Sequence, residues 1–510
     1  MHLISCICIE TQSPTFARES FRMLKPDIRP PSGVLSSAEE VSTGNATVLA
    51  TILRTFRPFG FARLWSGSGA TLSTNQKIFR AALVVGFFSL FARLASTAKE
   101  LVVAQRFGRG DALDAFLIAF LMPSFVVNLV AGSFNGALIP TFIHVRETEG
   151  KEAAQRLFSS AMVLSLVLLS GLSMLLGVLA PYYLPFLGSG FDGAKLMLTR
   201  RILYVLLPYV VGSALVTTWS AVLNAGERFA LPAFTPILTP LAIVAFLYAG
   251  GKDWGIFSLA VGTVAGQGIE ATLLARQLKT NGMRLKPSWY GIDPHVRRVA
   301  VQCGPLLAGS VISGGINFVD QTMATMLAPG SVSALNYATR VTSVALGIGS
   351  LALSRAVLPY FSQMVANQEW SACRHTLKTY SRLIVLVTVP ITLVLLFFSG
   401  PLVRFLFERG AFTSTDTNIV SGVLTFYSIQ IPFCVLGILL VSVLYSLKRT
   451  DILLYAGLLN FALNIVLNLI FMRFMGLPGI ALSTSVVTLV SLLFAGFFVL
   501  KILNQNEQHQ

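Results

Sequence analysis

The chain has 510 residues, of which 54% are hydrophobic and only 12% charged, with a mean hydropathy of +0.72. A soluble protein carries about 25% charged residues, so a soluble enzyme or binding module is excluded and a polytopic membrane protein is implied. The formal charge of +16 sits mostly in particular loops, which points to membrane topology and away from nucleic acid.

Residues 1–75 differ from the rest. They are rich in Ser, Thr, Pro and Arg, with turn clusters such as Pro30-Pro31-Ser32-Gly33. This composition predicts a disordered extension, either a start assigned too early or a targeting segment. The acidic residues Glu10, Glu19, Asp27, Glu39 and Glu40 favour the first. Twelve helices are predicted next, near 78–104, 112–142, 155–181, 199–225, 229–250, 254–277, 296–327, 331–361, 373–398, 417–446, 451–473 and 478–502. Each is long enough to cross a hydrocarbon core about 30 Å thick. The spans must be helices, because lipid leaves open backbone N–H and C=O groups without partners. Gly and Pro punctuate the connections, as in Leu327-Ala328-Pro329-Gly330.

The last six helices repeat the first six. Glu100 recurs as Asp320 and Gly110 as Gly330. Leu138-Ile139-Pro140 with Phe142 recurs as Val357-Leu358-Pro359 with Phe361, and Val222-Leu223 with Arg228 as Val443-Leu444 with Arg449. Phe186-Leu187 recurs as Phe405-Leu406, and Gly255-Ile256 as Gly479-Ile480; the offset stays between 219 and 224. The expected fold is therefore all-α and polytopic, with about 12 transmembrane helices in two six-helix lobes at 76–285 and 286–503, followed by a tail at 504–510. Six helices per lobe give both lobes one orientation, so a pseudo-two-fold axis lies along the membrane normal. This is a transporter's architecture, with the substrate in the cleft between lobes.

Basic residues set the orientation. With the N-terminus inside, the even-numbered connections and the C-terminus carry most of them, among them Arg146, Arg228, Lys279, Arg297, Arg298, Arg374, Lys378, Arg382 and Lys501. The opposite side holds far fewer, including Arg106, Arg109, Lys195, Arg404 and Arg409. Both termini are expected in the cytoplasm. Cys6, Cys8, Cys303, Cys373 and Cys434 form no disulfide framework or metal spacing, and the five histidines fall in tails or loop flanks. HExxH and GxxxxGK[ST] are absent, so neither a zinc protease nor a P-loop pump is expected, and no cofactor.

Charges inside spans cost roughly 2.5–3.5 kcal/mol each on insertion scales, which makes them functional candidates. Arg93 lies deep in the first helix, with Lys99 and Glu100 nearer its outer end. Arg340 lies in helix eight on a polar stripe with Asn336, Ser343, Gly347, Ser350 and Ser354. Asp320 shares a stripe of helix seven with Ser313 and Asn317, and helix two offers Ser124, Asn128, Gly132 and Asn135. Fixed arginines facing a cleft suit a diphosphate, because guanidinium pairs bidentately with phosphate oxygens. The plainer alternative pairs Arg93 with Glu100 and Arg340 with Asp320 to hold helices together. Glu100, Asp114 and Asn336 are read as gating or structural partners. The stripe Asn460, Asn464, Asn468 is read as glue between helices, and Phe407-Glu408-Arg409-Gly410-Ala411-Phe412 as an ordered outer loop or a partly inserted turn, without evident chemistry.

Phe91-Ala92-Arg93, Lys99-Glu100, Phe107-Gly108, Asp114-Ala115-Phe116, Ala119-Phe120 and Pro123 together resemble the opening of the MviN/MurJ family of lipid II flippases. Ala137-Leu138-Ile139-Pro140, Leu223-Asn224, Arg228-Phe229, Pro232-Ala233, Ile316-Asn317 with Asp320, Gly330-Ser331-Val332, Tyr337-Ala338 and Arg340 extend the likeness over roughly 76–503. The resemblance implies the multidrug/oligosaccharidyl-lipid/polysaccharide exporter fold in a bacterial inner membrane. It implies movement of an undecaprenyl-diphosphate-linked saccharide, with lipid II foremost, from inner to outer leaflet while the lipid tail stays in the bilayer. It places Arg93, Lys99 and Arg340 on the diphosphate and sugar headgroup. The stripe residues Asn128, Asn317 and Asp320 are further binding candidates.

Where the family has basic residues and then an acidic one after the Pro of helix two, this chain has Val127-Asn128 and Ala131, and it ends after twelve helices, without the family's two further ones. Another polyprenyl-linked glycan is therefore the second expected cargo. A drug/cation antiporter on the same fold is the third reading. It is opposed by Arg93, Lys99 and Arg340 and mildly favoured by Asp320 and Glu270. An integral-membrane glycosyltransferase would need a large external loop, which the chain lacks, and a scaffold of cell-wall assembly would not need the intramembrane charges. With no nucleotide motif, the expected driving force is an ion gradient or the membrane potential.

Overall fold

The computed structural model describes residues 74–250, 253–291 and 293–508. The extension predicted for 1–75 lies outside them but for its last two residues, which open the first helix. Among the described residues all regular structure is helical, in twelve segments: α1 (Thr74–Phe107), α2 (Asp111–Thr148), α3 (Lys151–Leu187), α4 (Gly193–Ala225), α5 (Ala230–Ala249), α6 (Phe257–Thr280), α7 (Pro294–Thr325), α8 (Ser331–Ala366), α9 (Trp370–Phe407), α10 (Ser414–Ser446), α11 (Thr450–Met475) and α12 (Leu477–Gln508). A 3-10 turn, Thr235–Ile237, interrupts α5, and α10 breaks at Ile429. Ten of these helices are long and apolar enough to cross a membrane. The other two, α1 and α8, hold the ionisable cluster described below.

Every predicted helix is present, and several run further than predicted. Apolar windows mark only the part of a helix that meets hydrocarbon; capped polar turns carry it beyond. The Asp192 carboxylate accepts the Lys195 backbone N–H at 2.8 Å and starts α4. Asp293 does the same for Val296 at 2.7 Å, with Pro294 as the first residue of α7. Thr413 and Asp416 form a reciprocal capping box at the head of α10. α12 continues past the predicted end at 502 to Gln508.

Two compact units are distinguished. Residues 74–87, the first turns of α1, belong to one; the remaining described residues, from Phe88 on, form the other. Within the larger unit α2–α6 pack mainly among themselves, and so do α8–α12, while α7 lies against α2 and α11. In lipid no hydrophobic driving force pulls helices together, so close packing and small residues must do it. Gly262 and Gly266 show this. A Cβ on the first would reach 2.7 Å from Ile243 Cα, and on the second 2.6 Å from Thr239 Cα, so α6 meets α5 backbone to backbone.

The apolar core is arranged unequally along the helices. At the end bearing the odd-numbered connections, one cluster draws on both halves, including Val103, Leu113, Leu187, Leu206, Met323, Leu335, Phe407 and Phe412. At the other end there are two clusters, one around Phe142, Phe158 and Leu223 that also takes Val296 and Val299 from the start of α7, the other around Phe361, Leu439 and Val499. One core therefore joins both halves at the first end, whereas at the other α7 packs with the first half and α8–α12 are cored apart from it.

Candidate functional site: charged groups where the halves part

The joined end is held by backbone as much as by side chains. Asp114, 1% exposed, accepts the N–H of Gly330 at 2.7 Å and of Ser333 at 2.8 Å, so a carboxylate of α2 caps the first turn of α8. Lys195 binds Asp114 at 3.2 Å and Asp111 at 2.6 Å. Arg109 donates to the Asp416 carboxylate at 3.1 Å and to the Pro329 carbonyl at 3.0 Å. The Tyr337 hydroxyl donates to the Gly108 carbonyl at 2.9 Å, and the Ala411 N–H to the Gln105 carbonyl at 2.8 Å. The segment 407–412 is thus ordered, and its backbone interlocks with that of α1. Gly410 sits against the Gln105 carbonyl, and Gly190 against the Thr325 carbonyl. These two contacts are copies of one another, because Gly410 lies 220 positions after Gly190 and Thr325 lies 220 after Gln105.

Beneath this seal α1 and α8 face each other with four charges. The Glu100 carboxylate, buried, takes Lys99 Nζ at 2.8 Å and Arg340 Nε at 3.3 Å on the same oxygen. Two turns along α1, the exposed Arg93 guanidinium lies over Gly347 of α8, where a Cβ would come within 2.8 Å of its Nη1. Glycine at 347 is what lets the guanidinium lie there. Arg93, Lys99 and Arg340 against Glu100 leave two positive charges uncompensated within the cluster. The pairing of Arg93 with Glu100 weighed from the sequence is replaced by Lys99, its neighbour on α1, and Arg340 of the facing helix.

Asp320 does not join this cluster, nor does it pair with Arg340. It is turned into the second half, where Asn464 and Asn468 donate to Oδ1 at 3.0 and 2.7 Å and Thr484 to Oδ2 at 3.2 Å. The asparagine stripe of α11 does link helices, and what it grips is this carboxylate. Among the described residues Asp320 has no basic partner, and the buried Asn468 Oδ1 beside it accepts no hydrogen bond. Glu270 is similar, buried and bonded by Thr235 at 2.8 Å. Asn128 and Asn317 are exposed on α2 and α7, two helices in contact where Gly314 meets Phe125. Asn336 is half-buried on α8, one turn before Arg340. The side chains of Ser313, Ser350 and Ser354 lie outside the described residues.

Sequence reasoning passed over Lys195, Arg109, Asp416 and Tyr337, treating the first two as loop charges. The signal available was the presence of acids and bases together on the odd-numbered connections: Arg109, Asp111, Asp114, Lys195 and Asp416. Among the described residues no group of three or more His, Cys, Asp or Glu side chains is placed to hold a metal ion.

Residues 103–509 match the family model described as lipid II flippase MurJ. A probable lipid II flippase MurJ of Vibrio cholerae is 27% identical over 431 residues, 81% of each chain. The lipid II flippase MurJ of Burkholderia cenocepacia is 28% identical over 432 residues, again 81% of each. Among solved structures, a lipid II flippase MurJ in an inward closed conformation superposes with a TM-score of 0.70 at 23% identity, covering 82% of this chain and 87% of that one.

Proposed function

Since the chain belongs to the lipid II flippase MurJ family, we infer that it is a transporter and not an enzyme: it carries lipid II, the undecaprenyl-diphosphate-linked precursor of peptidoglycan, from the inner to the outer leaflet. The membrane is the bacterial inner membrane, with both termini and the basic even-numbered connections in the cytoplasm. The observation that carries the reading is the cluster of Arg93, Lys99 and Arg340 around Glu100, placed where the two halves part. Its two surplus positive charges match a diphosphate diester, which bears one negative charge on each phosphate. Arginine suits both phosphates because its planar fork keeps two donors in register. Asn128 and Asn317 then face the saccharide, and Asn336 supports Arg340.

Transport follows from the unequal core. With the odd end sealed, the cleft is closed to the outside and the headgroup enters from the cytoplasm. Exchange of sides requires the seal around Asp114, Arg109 and the paired glycines to open while the separate inner cores meet. An ion gradient or the membrane potential supplies the free energy, and Asp320 is the group through which a cation acts. It is a buried carboxylate whose partners are all neutral, beside an orphaned amide oxygen. A proton or an alkali cation there removes an uncompensated buried charge.

Complementation tests the reading. The chain, with and without Arg93→Ala, is expressed in a bacterium whose own lipid II flippase can be shut off. Survival with the intact chain and death with the variant is the expected result. Failure of the intact chain despite membrane expression sinks lipid II as cargo. A second cargo, another polyprenyl-linked glycan, is favoured by the uncharged α2 wall at Val127, Asn128 and Ala131, and would then be assayed in an exopolysaccharide mutant.

A further inference from the structure

A groove of about 710 Å³ lies outside the cluster, between α9, α10 and α12. Three helix faces build it, each with side chains spaced three or four apart. α9 gives Lys378, Arg382 and Leu386, α10 gives Leu436 and Leu440, and α12 gives Leu493, Phe497 and Leu500. Gly496 lines it from α12, where a Cβ would make an ordinary contact with Leu440 in the floor at 3.6 Å and a longer side chain would enter the groove. The wall is apolar except at one end, where Lys378 and Arg382 project. Both are exposed, and neither is ion-paired among the described residues. Arg374, one turn nearer the helix start, is paired with Glu507 of α12 at 3.0 Å.

The depth of the two cations decides the occupant. α9 is helical without a break from Trp370 to a kink at Phe398. Its exposed face carries Arg374, Lys378 and Arg382 up to that point and turns apolar from Leu383 on, through Leu386, Val389, Leu393 and Phe397. This change marks the edge of the hydrocarbon, so both cations stand at its boundary, where long basic side chains reach the headgroups by snorkelling. A transmembrane helix filling the groove would bury two unpaired cations, which is costly. A lipid with an anionic phosphate satisfies both and lays an acyl chain along the leucines. We propose that this groove binds an anionic phospholipid of the leaflet at the even-numbered end, with its phosphate on Lys378 and Arg382 and one acyl chain between α9 and α12. The proposal is independent of the cargo, and its test reads binding, not transport.

The purified full chain is titrated with phosphatidylglycerol, with phosphatidylcholine of the same acyl chains, and with inorganic phosphate. Retained lipid is counted by native mass spectrometry. Phosphatidylglycerol is expected to bind selectively, and Lys378→Gln with Arg382→Gln to weaken it by about 30-fold, the share of two basic groups at a membrane surface. Lys378→Arg with Arg382→Lys keeps the charge and restores binding, which separates loss of the site from misfolding. Gly496→Leu blocks the chain while leaving both cations, and is expected to remove binding as well. Equal retention by wild type and the double Gln variant, or by phosphatidylcholine, overturns the proposal. So does competition by inorganic phosphate at matched concentration, which would mark a simple anion site.

Discussion

Asp114 of α2 accepts the backbone N–H of Gly330, the residue just ahead of α8, at 2.7 Å. One side chain of the first half thus performs the capping that helices usually obtain from their own flanking residues. In the proposed transport cycle this cap is broken when the odd end opens, which would make it a latch. Asp114→Ala leaves two N–H groups without an acceptor and takes one partner from Lys195, which keeps Asp111. The expected cost to the closed form is about 2 kcal/mol, at the upper end for a lost N-cap. A cysteine introduced at Ser331 and labelled with a membrane-impermeant maleimide checks this. Labelling should rise several-fold in the variant, and unchanged labelling would show that the cap does not hold the seal.

Glu100 binds Lys99 and Arg340 through one oxygen, while Arg93 is held in place by room at Gly347. Arg93→Ala and Arg340→Ala are each expected to abolish transport while the protein inserts normally. Gly347→Val is expected to act like a mild Arg93→Ala, because the new side chain displaces the guanidinium without touching its charge. Growth in the flippase-depleted strain, at matched membrane expression, reads all three. Normal growth by both arginine variants would relegate these residues to holding α1 against α8.

The helices were legible because bilayer thickness leaves the chain little choice. Long apolar runs and an offset near 220 suffice for twelve helices in two halves. Charges inside spans singled out Arg93, Lys99, Glu100, Arg340 and Asp320 for the same reason, their cost in lipid. Partnership was not legible. A spacing of seven puts Arg93 and Glu100 on one stripe, yet the relative height of α1 and α8 decides that Arg340 reaches Glu100. The regular stripe Asn464, Asn468 was visible, but nothing local says that it closes on Asp320 from another helix. The interlocked backbones at Gly108, Gly190 and Gly410 carry no side-chain signal at all.

Asp320 gathers three neutral donors and no cation from the described residues. Asp320→Asn keeps the volume and removes the charge, so flipping in sealed vesicles should lose its dependence on an imposed proton or alkali-cation gradient. Asp320→Ala should also destabilise the purified protein, by about 1–3 kcal/mol, because buried donors lose their acceptor. Glu270→Gln serves as the comparison and should retain the gradient dependence, since that carboxylate has a single Thr235 contact in the other half. Undiminished gradient dependence in Asp320→Asn would move the coupling group elsewhere.

Gly190 and Gly410 make the most symmetrical expectation. Each packs against a backbone carbonyl at the end of the first helix of the opposite half, Thr325 and Gln105 respectively. A Cβ at either position meets main chain, not a movable side chain, so no rotamer change relieves it. Gly190→Ala and Gly410→Ala should therefore disfavour the closed seal and leave the folded halves intact. Both variants should raise outside labelling at Ser331→Cys and slow transport, Gly410→Ala the more strongly, because Gly410 also sits at a φ of 62° that a Cβ disfavours. Gly193→Ala is the control, with nothing within 4 Å of its Cβ. Normal transport by Gly190→Ala would show that the two halves do not share the work of closing.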